Sequence, residues 1–247
     1  MLPIRMRNNK KWFSLRMMLF LVICMASVLP QKAEAVQQNQ KPVQQNQKAT
    51  QQNQKTTQQN QVVSQQKKEA AEQLGKALDY FVSKKYHECL MIMQDLDKHY
   101  RLNPRYKAYL GVCYYYDWDY KNAVKYLDEA IPQLGNFAPH ERSFYYWADA
   151  ESYFNLQKYA EAIPLYETML TVCYENEKPD AYYRMGFCYL FAENWVGAWN
   201  NLLQARDGYL ASRNTPDMQA RIMQVNHMLD GLKPKVVGNV IENLLKK

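Results

Sequence analysis

The stretch YKAYLGVCYYYDWDYKNAVKYLDEA, from Tyr106 to Ala130, reads as two short helices folded back on each other around small residues. Leu110, Gly111 and Tyr114 form one set, and Ala123, Leu127 and Ala130 form the other. Residues three and four apart share a helix face, so each set lies on one stripe and the two stripes can meet. Glycine in a helix interior costs about 1 kcal/mol relative to alanine, so Gly111 inside this pattern predicts close helix packing rather than a turn. Asp117-Trp118-Asp119 supplies the reversal, with Asp119 as the predicted N-cap of the second helix.

The pattern recurs. Tyr146, Ala150, Tyr153, Ala162, Tyr166 and Met169 repeat it, as do Tyr182, Met185, Gly186, Tyr189, Ala198, Leu202 and Ala205. A weaker copy comes first, with Ala77, Tyr80, Cys89, Met93 and Leu96, although Lys76 stands where an apolar residue is expected. Tyr86, Tyr120, Tyr159 and Trp195 open the second helix of each copy. Gly111 to Ala150 is 39 residues and Ala150 to Gly186 is 36, so the linkers vary, and Gly135 to Pro139 holds the longest insertion.

This arrangement resembles the tetratricopeptide repeat, whose unit of about 34 residues carries Leu-Gly, Tyr and two small residues at these offsets. Leu110, Gly111, Tyr114, Ala123, Leu127 and Ala130 match in order, and only Lys107 departs, at a position that is usually bulky. The resemblance implies an all-α, right-handed superhelical solenoid of four helix pairs over residues 69–103, 104–137, 143–176 and 179–212, closed by capping helices over 213–247. In the last segment Thr215 and Pro216 predict a helix start, Met218, Ile222, Val225 and Leu229 its apolar stripe, and Gly231 with Pro234 its end. Val237, Val240, Ile241, Leu244 and Leu245 form a shorter second stripe that either packs on the array or reaches a partner.

The beginning of the chain has a different composition. Arg5, Arg7, Lys10, Lys11 and Arg16 precede an apolar run from Met17 to Leu29 and then Ala33-Glu34-Ala35, the layout of a secretory signal peptide cleaved after Ala35. An uncleaved anchor, or lipidation at Cys24, would be the alternatives. Residues 36–68 then repeat VQQNQKP-like heptads. Each heptad has one semi-apolar position where a coiled-coil seam needs two. Such Gln/Asn/Lys composition buries too little surface to offset chain entropy, so a disordered tether is expected.

The formal net charge is +7, but it is unevenly spread. Residues 1–68 hold 11 of the 31 Lys/Arg and 1 of the 24 Asp/Glu, which leaves the repeat region slightly acidic. A nucleic-acid partner needs a basic stripe on the folded part, and none is predicted. Cys89, Cys113, Cys173 and Cys188 follow the export segment; Cys89, Cys113 and Cys188 fall beside packing faces, so buried thiols are expected, with Cys173 to Cys188 the pairing to test. His87, His99, His140 and His227 sit in different units, away from metal-ligand spacing and nucleophile motifs, so neither enzyme activity nor a cofactor or metal is expected.

In tetratricopeptide arrays, positions 2, 5, 9 and 12 of each first helix face a groove. Here they are Arg105, Ala108, Val112 and Tyr115, then Phe144, Trp147, Glu151 and Phe154, then Asp180, Tyr183, Phe187 and Leu190, with Tyr109, Tyr116, Arg184 and Phe191 flanking. The resemblance therefore implies a partner-binding set of Arg105, Tyr109, Tyr115, Tyr116, Phe144, Trp147, Glu151, Phe154, Tyr183, Arg184, Phe187 and Phe191. Rings serve as interface anchors because they bury much area at little rotamer cost; packing between neighbouring first helices is the competing role. The Lys/Asn clamp that some arrays use for a carboxylate terminus is missing from those positions. The expected activity is an exported scaffold, in the periplasm or cell envelope, that binds a peptide or helix of another protein during envelope assembly or secretion. A glycan-binding module and a self-assembler acting through its last helix remain the alternatives. Membrane contact would come through an uncleaved signal or a partner.

Overall fold

A computed structural model describes residues 41–211 and 216–245, with side chains described for 54–211 and 216–238. The expected signal segment, residues 36–40 of the heptad region, and the Thr215 cap lie outside the described residues. The chain divides into two units, residues 1–61 and 62–247. The described part of the first is helical, and its side chains from Gln54 onward are exposed.

The described residues contain nine α-helices, α1 (Lys41–Val82), α2 (Tyr86–His99), α3 (Pro104–Tyr116), α4 (Tyr120–Ala130), α5 (Pro139–Asn155), α6 (Tyr159–Leu170), α7 (Lys178–Phe191), α8 (Trp195–Ala211) and α9 (Pro216–Leu245), and a single 3-10 turn, Ile131–Gln133. The end of α1 pairs with α2, then α3 with α4, α5 with α6 and α7 with α8, and α9 packs on α8. This is the all-α solenoid of four helix pairs that the repeat pattern predicts.

The four pairs share one turn. Lys84, Trp118, Gln157 and Glu193 have φ of 58°, 61°, 61° and 55°, each directly after a first helix. The next residue's N–H then reaches back to a carbonyl five residues earlier: Lys85 to Tyr80 at 2.8 Å, and Asp119 to Tyr114, Lys158 to Tyr153 and Asn194 to Tyr189 at 2.9 Å. These are Schellman closures, which consume the carbonyls that a helix end leaves without partners. The turn at Lys84 makes the first repeat complete despite Lys76. Asp119 caps α4 as expected, accepting from the Asn122 N–H at 3.2 Å.

Packing within each pair follows the small positions. A Cβ added to Gly111 would lie 2.7 Å from Leu127 Cγ, and one added to Gly186 would lie 2.8 Å from Leu202 Cγ. Ala77, Ala123, Ala130, Ala150, Ala162, Ala198 and Ala205 are all fully buried. Among the tyrosines that follow the glycine position, Tyr114 is buried while Tyr153 and Tyr189 are only partly so.

Two expectations are corrected. The heptads from Lys41 to Lys68 are helical, not a disordered tether. Gln and Lys are good helix formers, and past Pro42 no proline interrupts the segment, so backbone propensity sustains a helix that has no apolar stripe. The chain's end is one helix running through Gly231 and Pro234 rather than two. Pro234 removes a single backbone hydrogen bond, while buried Val225, Leu229 and Leu232 hold that helix against α8. The cysteines are as expected: Cys89, Cys113, Cys173 and Cys188 are all free thiols and, of these four, Cys173 alone is not buried, so the Cys173–Cys188 pairing is not formed. Cys89 and Cys113 neighbour each other across α2 and α3, sharing a hydrogen bond that pulls the Cys89 thiol down and pushes the Cys113 thiol up.

Candidate functional site

The first helices α3, α5 and α7 present their expected rows, but unequally. Ala108 and Val112 are fully buried, so α3 contributes only its larger side chains. Tyr109, Tyr115, Phe144, Trp147, Phe154, Arg184 and Phe187 are half-buried, and Arg105, Tyr116 and Phe191 are exposed. Glu151 and Tyr183 are buried, which removes them from direct contact with a partner and makes them the floor of the face.

The rings gather into two clusters and a cavity. In the first cluster Tyr109 lies 4.3 Å from Phe81, which in turn lies 6.4 Å from Phe144. In the second, Phe191 meets Phe154 and Phe187 at 6.2 Å and stacks on Tyr159 at 4.8 Å, while Phe187 meets Tyr183 edge-on at 4.9 Å. Tyr116, Phe144 and Trp147 line a cavity of about 470 Å³ together with His140, Ser143, Met169, Glu177 and Asp180. Tyr116 is held there by face-to-face stacking on Tyr86 at 4.0 Å. Burial, with the neighbouring Tyr116 hydroxyl, pushes Tyr86 up to about 12. Burial also raises Tyr115, close to Trp147, Glu151 and Arg184.

Charge on this face follows a repeating plan that the sequence did not reveal. Arg105 on α3 forks onto Glu141 on α5, Nε to Oε1 at 2.8 Å and Nη2 to Oε2 at 3.1 Å. Arg184 on α7 pairs with Glu151 on α5 at 2.8 Å, and Arg221 on α9 pairs with Asp180 on α7 at 3.1 Å. Each carboxylate also accepts a tyrosine hydroxyl: Tyr145 to Glu141, Tyr166 to Glu151 and Tyr209 to Asp180. Each guanidinium lies over a ring, Arg105 over Phe137 at 5.2 Å, Arg184 over Phe154 at 5.0 Å and Arg221 over Tyr183 at 5.4 Å. Burial raises the Glu151 carboxyl against the opposing pull of Arg184 and Tyr166.

Sequence reasoning missed Phe81, Tyr159, Glu141, Tyr209 and Arg221. Phe81 follows Tyr80 at the end of a helix that carried a weak repeat signal, and Arg221 belongs to the cap rather than to a repeat. Asp180 was in the predicted row, but its partners come from α8 and α9, which no spacing rule connects to it.

Asp149, on the opposite side of α5 from Trp147, is 1% exposed, and neither carboxyl oxygen meets a donor among the described residues. Burial and the adjacent Asp128 raise its carboxyl to about 8. The protonated acid then donates to Asp128, and this gives the buried group its partner. Asp128 also accepts the Tyr153 hydroxyl at 2.7 Å.

The histidines have structural surroundings. His87 meets Asp117 at 2.8 Å on the surface, His99 bonds the Asp95 carbonyl at 2.8 Å, and His140 stacks on Tyr174 at 5.4 Å. Among the described residues no cluster of three His, Cys, Asp or Glu side chains could hold a metal, and no helix is long and apolar enough to cross a membrane.

No family model and no curated protein matches this chain. Solved structures do. The apo form of RapI aligns with a TM-score of 0.53 at 13% identity, over 71% of this chain and 67% of that one. A MamA structure designated AMB-1 aligns at 0.52 and 13%, over 72% and 92%. MamA from Desulfovibrio magneticus RS-1 aligns at 0.51 and 17%, over 72% and 96%. At these identities the likeness establishes the fold, a tetratricopeptide-type solenoid.

Proposed function

We propose that this chain is an exported scaffold whose aromatic face on α3, α5 and α7 holds a segment of a partner protein during envelope assembly or secretion. The observation that carries the reading is the cavity of about 470 Å³ with Tyr116, Phe144 and Trp147 among its walls. Solenoids of stacked helix pairs expose extended faces of this kind, and their usual work is protein recognition. Large rings at partly wet positions anchor such contacts, since burying each is worth a few kcal/mol. Export rests on the basic and apolar layout of residues 1–35. Fold alone does not choose a pathway, so the test must name the partner.

Crosslinking the tagged protein in its native cells, followed by mass spectrometry, compares wild type with Trp147→Ala/Phe187→Ala. The expected result is one or two envelope proteins captured by wild type and lost in the variant, with circular dichroism unchanged. Identical captures from both would refute groove binding.

A further inference from the structure

We propose that the cavity between α5 and α7 takes the cationic side chain of a lysine or arginine flanked by apolar residues in the partner segment. This rests on the groove reading above and specifies its ligand.

Three observations lead to it. The first is that every arginine on this face is already neutralised by a carboxylate of an adjacent first helix or cap: Arg105 by Glu141, Arg184 by Glu151 and Arg221 by Asp180. An acidic partner residue would have to displace one of those carboxylates. Displacing Glu151, which is 2% exposed, would leave a buried charge without its counterion, a severe penalty.

The second is the lining itself. No lysine or arginine lines the cavity, whereas the Glu177 and Asp180 carboxylates do. Asp180 is offset by Arg221. Glu177 accepts the Tyr174 N–H at 3.0 Å and forms no ion pair among the described residues. A wholly apolar occupant would strip water from Glu177 and offer it nothing in return, and an unpaired buried charge is costly. A cation removes that cost.

The third is the wall. Trp147, Phe144 and Tyr116 present ring surfaces, and the faces of aromatic rings attract ammonium and guanidinium groups, tryptophan most strongly. The protein already uses this contact on the same face, where Arg184 lies over Phe154 and Arg105 over Phe137. Rings for the stem and a carboxylate for the head suit a long basic side chain, which buries its methylenes and keeps its charge at the polar end.

The test uses the full chain and N-acetylated, C-amidated heptapeptides of leucine, phenylalanine and proline whose central residue is lysine, arginine, norleucine or glutamate. Affinity is read by titration calorimetry. Lysine- or arginine-centred peptides should bind about tenfold tighter than norleucine-centred ones, in keeping with a partly desolvated cation over a ring beside a carboxylate. Glu177→Gln, whose amide oxygen still accepts the Tyr174 N–H, should erase most of that preference and leave norleucine peptides unchanged. Trp147→Ala should weaken all of them. If norleucine and lysine peptides bind equally and both depend on Trp147, the cation inference fails while groove binding stands. If no peptide binds, or binding ignores both substitutions, the groove reading fails with it.

Discussion

Asp149→Asn should make the protein more stable, and by an amount that grows with pH. In the folded chain Asp149 is 1% exposed, and its carboxyl is raised from 3.8 to about 8 by burial first and Asp128 second. In the unfolded chain the group returns to the ordinary carboxylate range. Below about pH 4 both states carry the proton and the residue costs nothing. Between about pH 4 and 8 the unfolded state has released its proton while the folded state holds it, so stability falls as pH rises, and above that range the loss is complete. The rise from 3.8 to about 8 puts the total on the order of 5 kcal/mol, with solvent relaxation making it smaller. Asparagine donates to Asp128 as the protonated acid does and never ionises. Urea unfolding of wild type and variant, followed by tryptophan fluorescence across that pH range, gives the difference directly. It should be near zero at the acid end and reach several kcal/mol at the alkaline end. A difference that stays constant with pH, or a wild type that gains stability over the variant as pH rises, would refute the proton-sharing account.

Gly111→Ala and Gly186→Ala should each destabilise by about 1–3 kcal/mol in urea titrations, because the added methyl meets Leu127 or Leu202 at 2.7 or 2.8 Å and overpacking outweighs the gain in helix propensity. Adding Leu127→Ala to the first should recover less than its own cavity cost, and strict additivity would argue against the contact. Glu151→Ala should cost about 3 kcal/mol, since it strands Arg184 and the buried Tyr166 hydroxyl together; a loss within the range of an ordinary surface substitution would mean that Arg184 simply turns to water. In native protein, maleimide should label Cys173 slowly and Cys89, Cys113 and Cys188 only on unfolding, because burial pushes the Cys188 thiol up to about 12 and encloses the other two. Mass spectrometry of the intact protein counts the labels.

What could be read from sequence was whatever a single helix writes into its own spacing. Leu110, Gly111, Ala123, Leu127 and Ala130 lie within one repeat at helical intervals, and all are buried. The four reversals were legible for the same reason, although the left-handed residue at each is Lys84, Trp118, Gln157 or Glu193 rather than a glycine that would have announced it. The α1 extension was missed because composition favoured disorder while propensity favoured helix, and no apolar stripe arbitrated. The end of α9 was misplaced because Pro234 is normally a stop, yet the apolar stripe around it carries on packing. The periodicity that put Trp147 and Phe187 in the rows, where both are half-buried, also offered Ala108 and Val112, whose short side chains never reach the surface. Periodicity assigns a face; side-chain length decides who appears on it.

The arginine and carboxylate pairs were illegible for a deeper reason, since each joins two different units. Arg105 and Glu141 are 36 residues apart, and Arg221 and Asp180 are 41 apart, across loops whose lengths vary. Yet these links set the charge that the proposed groove offers. Each one ties a first helix to the next first helix or to the cap, so the atoms that space α3, α5, α7 and α9 are the same atoms that neutralise the face. A partner acid that took Arg184 would leave Glu151 buried without its counterion and loosen α5 from α7 in the same step. A partner cation asks for no such exchange, because it adds to carboxylates already in place. The selectivity proposed for the groove therefore follows from how its helices are held together, and substitutions at Glu141, Glu151 or Asp180 should disturb spacing and any partner binding as one effect.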